Sequence, residues 1–312
     1  MKKFILNAVV GVVLASSGLV AGDYVFFSPQ MISSHLTDYG EEEKMAIEQD
    51  LGVVRSICLQ EIKENRNQRK PVYLATAGAP GARKTTILER FIKDHPSFSE
   101  VAYIDPDQRT LKFMAHTYHS QSLSARSVAT YPDYALATKA AYEKWRGGSN
   151  YIALTLLEEA FDHSRDIAHG TTSTGAHIPN FLSKVKNAGY EIVLLLCSCE
   201  DSFRRQSIQY RNDSQKFYQS TPEDGVSKGK FFSQRMSAYF TYADTLYLFW
   251  SDDLSTPERL SAIFADGSLK IVDREAFNRF ISKFDADRVL LEREGQQIPS
   301  WNELVNLYRN RF

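Results

Sequence analysis

The sequence is short of cysteine and has no surplus of either charge. Three Cys in 312 residues leave no material for a disulfide framework. Lys plus Arg number 37 against 38 Asp plus Glu. That balance argues against non-specific nucleic-acid binding, which needs positive charge in excess to neutralise phosphates, so no nucleic-acid partner is expected. Internal repeats and low-complexity segments are missing too. What is present is ordinary for a globular chain: 43% apolar and 24% charged residues, too apolar for disorder. The length suits one large domain or two small ones.

Lys2 and Lys3 precede an uncharged stretch over residues 4–21, which closes on small residues up to Gly22. Basic start, apolar middle and small end are the layout of a secretory signal peptide, and the length is close to that of a membrane-spanning helix. Residues 1–22 are therefore expected as a signal peptide or a membrane anchor. In either case the rest of the chain is secreted or anchored, with membrane contact through residues 4–21. Residues 23–70 read as a linker (28–39) followed by a helix (41–64), whose acidic start suits a helix N-terminus.

From residue 71 the chain alternates. Apolar runs at 72–76, 101–104, 166–168, 191–197, 245–250 and 269–272 read as strands. Helical patterns fall at 85–93, 151–164 and 178–188, the last stopped by Gly189. Strands alternating with helices predict an α/β fold with a parallel sheet, right-handed crossovers and helices on both faces. Residues 254–312 read as strand and helix, with 254–272 expected to close the sheet and Leu290, Ile298, Trp301, Leu304, Val305 and Leu307 packing on the body.

Between the first strand and the first helix of this region stands Gly78-Ala79-Pro80-Gly81-Ala82-Arg83-Lys84-Thr85-Thr86. Strand, Gly-rich turn and helix is the context in which backbone N–H groups wrap phosphate oxygens and the helix dipole favours the anion. These nine residues are the expected nucleotide site. Lys84 would reach the β- and γ-phosphates, and the Thr85 hydroxyl would sit on Mg²⁺ brought in with ATP. Arg83 occupies the position where such loops carry Gly. It either crowds the site, points outward or adds charge to the phosphates, and the residues alone leave the three open.

With the later segments added, residues 72–250 resemble the zeta toxin family of P-loop kinases. Gly78, Pro80, Gly81, Lys84 and Thr85 match the family loop Gly-x-Pro-Gly-x-Gly-Lys-Thr/Ser. Ile104-Asp105-Pro106-Asp107 matches its Ile-Asp-x-Asp element, in which the second Asp is the general base. His169-Gly170-Thr171 lies where the family has Glu-Gly-Thr, and Gly189-Tyr190 with its strand matches the family's Gly-Tyr. The resemblance implies a P-loop kinase fold for residues 71–312. It also implies ATP-dependent phosphorylation of a hydroxyl on a small molecule, in the family UDP-N-acetylglucosamine, and an antitoxin that blocks ATP. The implied catalytic residues are Asp107, Lys84 and Arg211, with Lys228 or Lys230 as a second phosphate contact. The departures are Arg83, His169 for Glu, and Ser173 for an Arg that binds substrate in many members.

Other readings stand beside these. Asp107 is a base or a helix N-cap. Asp105, His169, Thr171 and Thr172 are candidate substrate contacts, but Asp105 also suits a cap or a magnesium-bound water, His169 a satisfied core histidine and the threonines helix capping. Arg204 and Arg205 read as a solvated helix face, Cys197 as core. Tyr118, His119, Tyr131, Tyr134, Tyr142 and Trp145 either stack on a ring of the acceptor or form an accessory core. The alternative to a kinase is a catalytically degenerate P-loop protein acting as a secreted effector or interaction scaffold, with a host target as partner. An export signal on an ATP-using enzyme suits an effector that acts inside another cell.

Overall fold

Val72–Gly78 (β1) is buried along its whole length, as an apolar run covered on both faces must be. The computed structural model, which describes residues 24–59, 69–122, 133–214, 217, 219 and 221–312, places β1 inside a sheet with Ala102–Ile104 (β2), Ile167–His169 (β3), Glu191–Cys199 (β4), Thr245–Ser251 (β5), Arg259–Ala265 (β6) and Ser268–Ile271 (β7). The order is β2-β3-β1-β4-β5-β6-β7. The first five strands run parallel, as expected. β6 and β7 add an antiparallel hairpin within residues 254–272, the segment expected to close the sheet, although the sequence marks a strand there only at 269–272. Asp266 and Gly267, with φ of 48° and 71°, make its tight turn.

The helices are, in chain order, Pro29–Ser34 (α1), Glu41–Cys58 (α2), Lys84–Asp94 (α3), Asp133–Asp162 (α4), Ile178–Asn187 (α5), Asp201–Asp213 (α6), Pro222–Ser227 (α7), Lys230–Gln234 (α8), Met236–Tyr242 (α9), Arg274–Arg293 (α10) and Trp301–Arg309 (α11). Alternate residues of the central strands point to opposite layers. Leu74, Val193, Leu195 and Cys197 meet Ile87, Leu88 and Phe91 of α3. Tyr73, Ala75, Leu194 and Leu196 share the other core with Leu156 and Phe161 of α4 and with Phe181 and Val185 of α5. The chain thus leaves β1 toward one face and leaves its neighbour β3 toward the other. Adjacent strands whose connections part in this way open a crevice at their carboxyl ends, where open α/β sheets bind ligands.

Three expectations are corrected. Residues 28–39, expected as a linker, are tied to the core: Ser28 caps α1 and Tyr39 is buried; just before them Phe26 and Phe27 are buried too, and their N–H groups donate to the Glu158 carboxylate at 3.0 and 2.7 Å. Phe26 stacks on Phe161 at 3.8 Å between centroids. Burying two Phe side chains is worth about 2–3 kcal/mol each, enough to fix this segment. The helix expected over 151–164 begins at Asp133 instead. Gly147 and Gly148 sit inside α4 at a close crossing. A Cβ on Gly147 would lie 2.8 Å from the His35 carbonyl oxygen, and one on Gly148 2.9 Å from Ile47. At the C-terminus Trp301, Leu304 and Val305 pack inward, but Leu290 and Leu307 face solvent. The apolar stretch 4–21 lies outside the described residues. Among those described, no helix is long and apolar enough to cross a membrane.

Candidate active site

The loop after β1 is shaped by two left-handed residues. Gly81 has φ of 84°, and a Cβ there would stand 2.7 Å from the Arg204 carbonyl oxygen. Arg83 has φ of 55° and ψ of 27° at the N-cap of α3. An arginine in this conformation costs about 1–2 kcal/mol that a glycine would not. Its side chain resolves the three readings left open by the sequence. The guanidinium turns outward, pairing with buried Glu258 at 2.7 Å and donating to the Asp253 and Thr256 carbonyl oxygens at 3.1 and 2.9 Å. The phosphate loop is left uncrowded.

Pro80, Gly81, Lys84, Thr85 and Thr86 line a cleft of about 1090 Å³. Gly78, Ala79 and Ala82 are buried beneath them, and a Cβ on Gly78 would lie 2.4 Å from the Cys197 carbonyl oxygen of the neighbouring strand. Lys84 Nζ donates to the Ala79 carbonyl oxygen at 2.9 Å. Burial lowers its pKa to about 8; Arg211 adds to that, while Cys197, Asp105 and Asp107 oppose it. Such an ammonium gains most from an anion placed beside it. The Thr85 hydroxyl makes no hydrogen bond among the described residues and lies on the cleft wall.

The opposite wall starts at the end of β2. Asp105 Oδ1 accepts the N–H groups of Asp107 and Gln108 at 2.8 and 2.7 Å. The capping role weighed for Asp107 thus belongs to Asp105. Burial and the Asp107 charge push the Asp105 carboxyl up to about 7. Its other face rests on Gly170, where a Cβ would stand 2.1 Å from Oδ2. Asp107, freed from capping, points into the cleft and pairs with Arg146 from α4.

Thr171 and Thr172 also reach the cleft. Thr76 Oγ1 donates to the Thr171 carbonyl oxygen at 2.7 Å, and the Gly78 N–H donates to the Thr172 carbonyl oxygen at 3.0 Å. The loop after β3 is thereby fastened to the root of the phosphate loop. Arg211 on α6 lies in the cleft with Gln219. Lys228 joins them, whereas Lys230 turns away to Glu294 at 2.5 Å.

Two expectations fail here. His169 is not a cleft residue: it faces the α4–α5 layer, with Nδ1 2.7 Å from the Tyr73 hydroxyl. Burial, with His177 nearby, pushes its pKa down to about 3, so the ring is neutral. Arg204 is not on a solvated face. It is buried, pairs with Asp201, and donates to the Gly225 and Val226 carbonyl oxygens at 3.3 Å. Arg205, pairing with Glu223 at the surface, does behave as expected.

Of the aromatic residues before α4 and along it, Tyr142 lines the cleft, whereas Trp145 stacks on Tyr39 and Tyr118 packs on Phe217. Tyr131 lies outside the described residues, as does the Tyr134 side chain. Residues the sequence did not mark are Arg146, Lys112 and Arg235, all on the cleft wall. Nothing local signals them, because each is delivered by tertiary packing. Arg235 Nε, for example, donates to the Gly175 carbonyl oxygen at 2.9 Å.

A parallel β2-β3-β1-β4-β5 core with a phosphate loop after β1 and carboxylates after β2 defines a P-loop kinase fold. The chain belongs to the zeta toxin family, whose model matches residues 57–230. No curated protein matches the sequence. Among solved structures the chain is similar to an AvrRxo1-ORF1:-ORF2 crystal structure with ATP, at 13% identity, with 91% of this chain and 95% of that chain covered and a TM-score of 0.52. It is also similar to a structure from the PezAT chromosomal toxin–antitoxin system of Streptococcus pneumoniae, at 16% identity, 68% and 78% coverage and a TM-score of 0.44. At such identities the first likeness speaks for the fold.

Proposed function

We propose that the chain is an ATP-dependent phosphotransferase that phosphorylates a hydroxyl of a small molecule, a nucleotide-sugar in the family pattern. The observation that carries this reading is that Lys84 and Asp107 face one cleft, close enough for the carboxylate to act on the ammonium. One group is placed for phosphate, the other for a proton.

Asp107 accepts the proton of the acceptor hydroxyl as that oxygen attacks the terminal phosphorus of ATP and the bond from that phosphorus to the bridging oxygen breaks, releasing ADP. Lys84 releases the Ala79 carbonyl and meets the β- and γ-phosphate oxygens. Arg211 covers the charge that builds on the transferred group. Besides Arg83, whose charge is turned to Glu258, six cationic side chains (Lys84, Lys112, Arg146, Arg211, Lys228 and Arg235) line the cleft against three carboxylates, Glu89, Asp105 and Asp107. That imbalance suits two anionic partners in one site. The unpartnered Thr85 hydroxyl fits Mg²⁺, which would supply further neutralisation of the phosphates. Arg146 holds the Asp107 carboxylate in place, and Thr171 and Thr172 border the acceptor. Catalysis of this kind is mostly positioning and electrostatics, so these groups suffice.

Transfer of labelled γ-phosphate from ATP to UDP-sugars and to bacterial and eukaryotic extracts tests the proposal. Product with the wild-type chain, lost in Lys84→Ala and Asp107→Asn, supports it. No transfer to any acceptor, and no ATP binding by calorimetry, would leave the scaffold reading. An antitoxin over the ATP end of the cleft, and export through residues 1–22, belong to the same proposal. Recovery of the mature protein solely from the producer's cytoplasm would remove the export part.

A further inference from the structure

Arg83 stands where a phosphate loop favours glycine, in the conformation glycine favours. Its side chain must therefore do something that offsets the cost. It runs to the loop of residues 252–258, which joins β5 to β6. There it brackets Leu254 and Ser255, donating to the carbonyl oxygens of Asp253 and Thr256 on either side. Its Nε also pairs with Glu258, a carboxylate with only 1% of its side chain exposed. Two helical turns further along α3, Arg90 binds the other oxygen of Glu258 at 2.9 Å and the Glu258 carbonyl oxygen at 3.0 Å.

The loop itself is stiff. Asp253 accepts the N–H groups of Ser255 and Thr256, both at 2.7 Å. Asp252, at its root, accepts from Trp250 Nε1 at 2.8 Å and pairs with Arg259 and Arg279. At the tip of this stiff loop sits Leu254, 39% exposed. It lines the cleft as Arg83 does, and Arg83 holds the backbone on either side of it at Asp253 and Thr256.

We propose that Arg83 is a positioning residue. By clasping the β5–β6 loop through Glu258, it holds Leu254 at the phosphate-loop end of the cleft as an apolar wall for the base of the bound nucleotide. The phosphates and the base are then read by two parts of one rigid unit, the backbone around Arg83 and the loop its side chain carries. This rests on the nucleotide reading above and adds which residues recognise the base.

The test compares ATP with inorganic tripolyphosphate, which has the charge and no base. Calorimetric affinities are measured for the full chain and for Arg83→Gly, Leu254→Ala and Lys84→Ala. Arg83→Gly relieves the left-handed backbone and Leu254→Ala alters an exposed side chain, so both variants should fold. The proposal expects the two variants to weaken ATP roughly fivefold to tenfold, the loss of one apolar contact, with tripolyphosphate unchanged. In turnover the KM for ATP should rise by the same factor with kcat kept. Lys84→Ala should weaken both ligands. Unchanged ATP binding in Arg83→Gly and Leu254→Ala would overturn the clasp and leave the nucleotide site standing. Equal losses for ATP and tripolyphosphate in Arg83→Gly would also overturn it, by making Arg83 a phosphate contact. If the wild-type chain binds neither ligand, the nucleotide reading itself fails and the clasp with it.

Discussion

Arg146, inside α4, pairs with Asp107 just beyond the end of β2. The two are 39 residues apart, and the pair joins the longest helix of the described chain to the carboxylate expected to take the acceptor proton. Asp105 completes the arrangement from below by capping the turn that carries Asp107. Asp107 is thus fixed by its backbone through one residue and by its side chain through another.

Removing the side-chain restraint should be costly for rate and mild for stability, because both partners are partly exposed. Arg146→Ala is expected to lower kcat/KM by roughly tenfold to a hundredfold through misplacement of the base. Steady-state kinetics beside a urea melt would check it. A variant equal to wild type in rate would show that Arg146 does not orient Asp107.

Lys84 provides a pH signature. Its pKa is lowered to about 8 by burial, and bound phosphate would raise it again. Binding therefore takes up a proton above that pH and none below it. ATP affinity should be flat in this respect below pH 7 and fall by about tenfold between pH 8 and pH 9 and a half. Lys84→Arg, permanently charged, should lose this fall. Calorimetry in buffers of different ionisation enthalpy measures the proton uptake directly, and a pH-independent wild-type affinity would contradict the assignment.

Asp105 should act on stability with the opposite kind of dependence. Its folded pKa is raised to about 7 by burial and by Asp107, above the unfolded value. The folded state therefore holds the extra proton between about pH 4 and pH 7. Stability from this group is fully present at low pH and is lost as pH rises through 7. Asp105→Asn keeps an oxygen to accept the Asp107 and Gln108 N–H groups, so the variant should lose less stability than wild type between pH 5 and pH 8. Gly170→Ala, which sets a methyl group against the same carboxylate, should destabilise by about 1–3 kcal/mol. Urea melts across pH check both variants, and a wild-type curve no steeper than that of Asp105→Asn would refute the first.

Arg204 and Arg205 separate a buried role from a surface one on adjacent residues. Arg204→Ala removes an ion pair and two carbonyl contacts and is expected to cost about 2–3 kcal/mol. Arg205→Ala breaks a surface pair and should stay within about 0.5 kcal/mol. Equal effects in urea unfolding would show that the Arg204 contacts do not matter.

This pair also shows what a sequence carries. The parallel strands and the phosphate loop were legible because each is local: an apolar run bounded by turn residues, or a fixed spacing of Gly, Lys and Thr. That Asp107 and Arg211 reach the cleft was legible through resemblance. The rest depends on residues far apart in the chain. Arg83 meets Glu258 across 175 positions, so its direction had no local signal. The first half of α4 was not legible: the close crossing that Gly147 and Gly148 permit involves His35 and Ile47, about a hundred positions away in the chain. His169 carried a ligand-like residue type, but only the neighbouring Tyr73 explains its place in the core.

The central claim is that Lys84 and Asp107 serve one phosphoryl transfer. The most direct measurement is the transfer of labelled γ-phosphate from ATP to a panel of UDP-sugars and cell extracts, run with wild type, Lys84→Ala and Asp107→Asn. The account predicts a labelled small-molecule product with wild type and its loss in Lys84→Ala. Asp107→Asn should retain ATP binding while its rate falls by roughly a hundredfold or more. Transfer undiminished in Asp107→Asn, or a wild-type chain that binds no ATP, would contradict it.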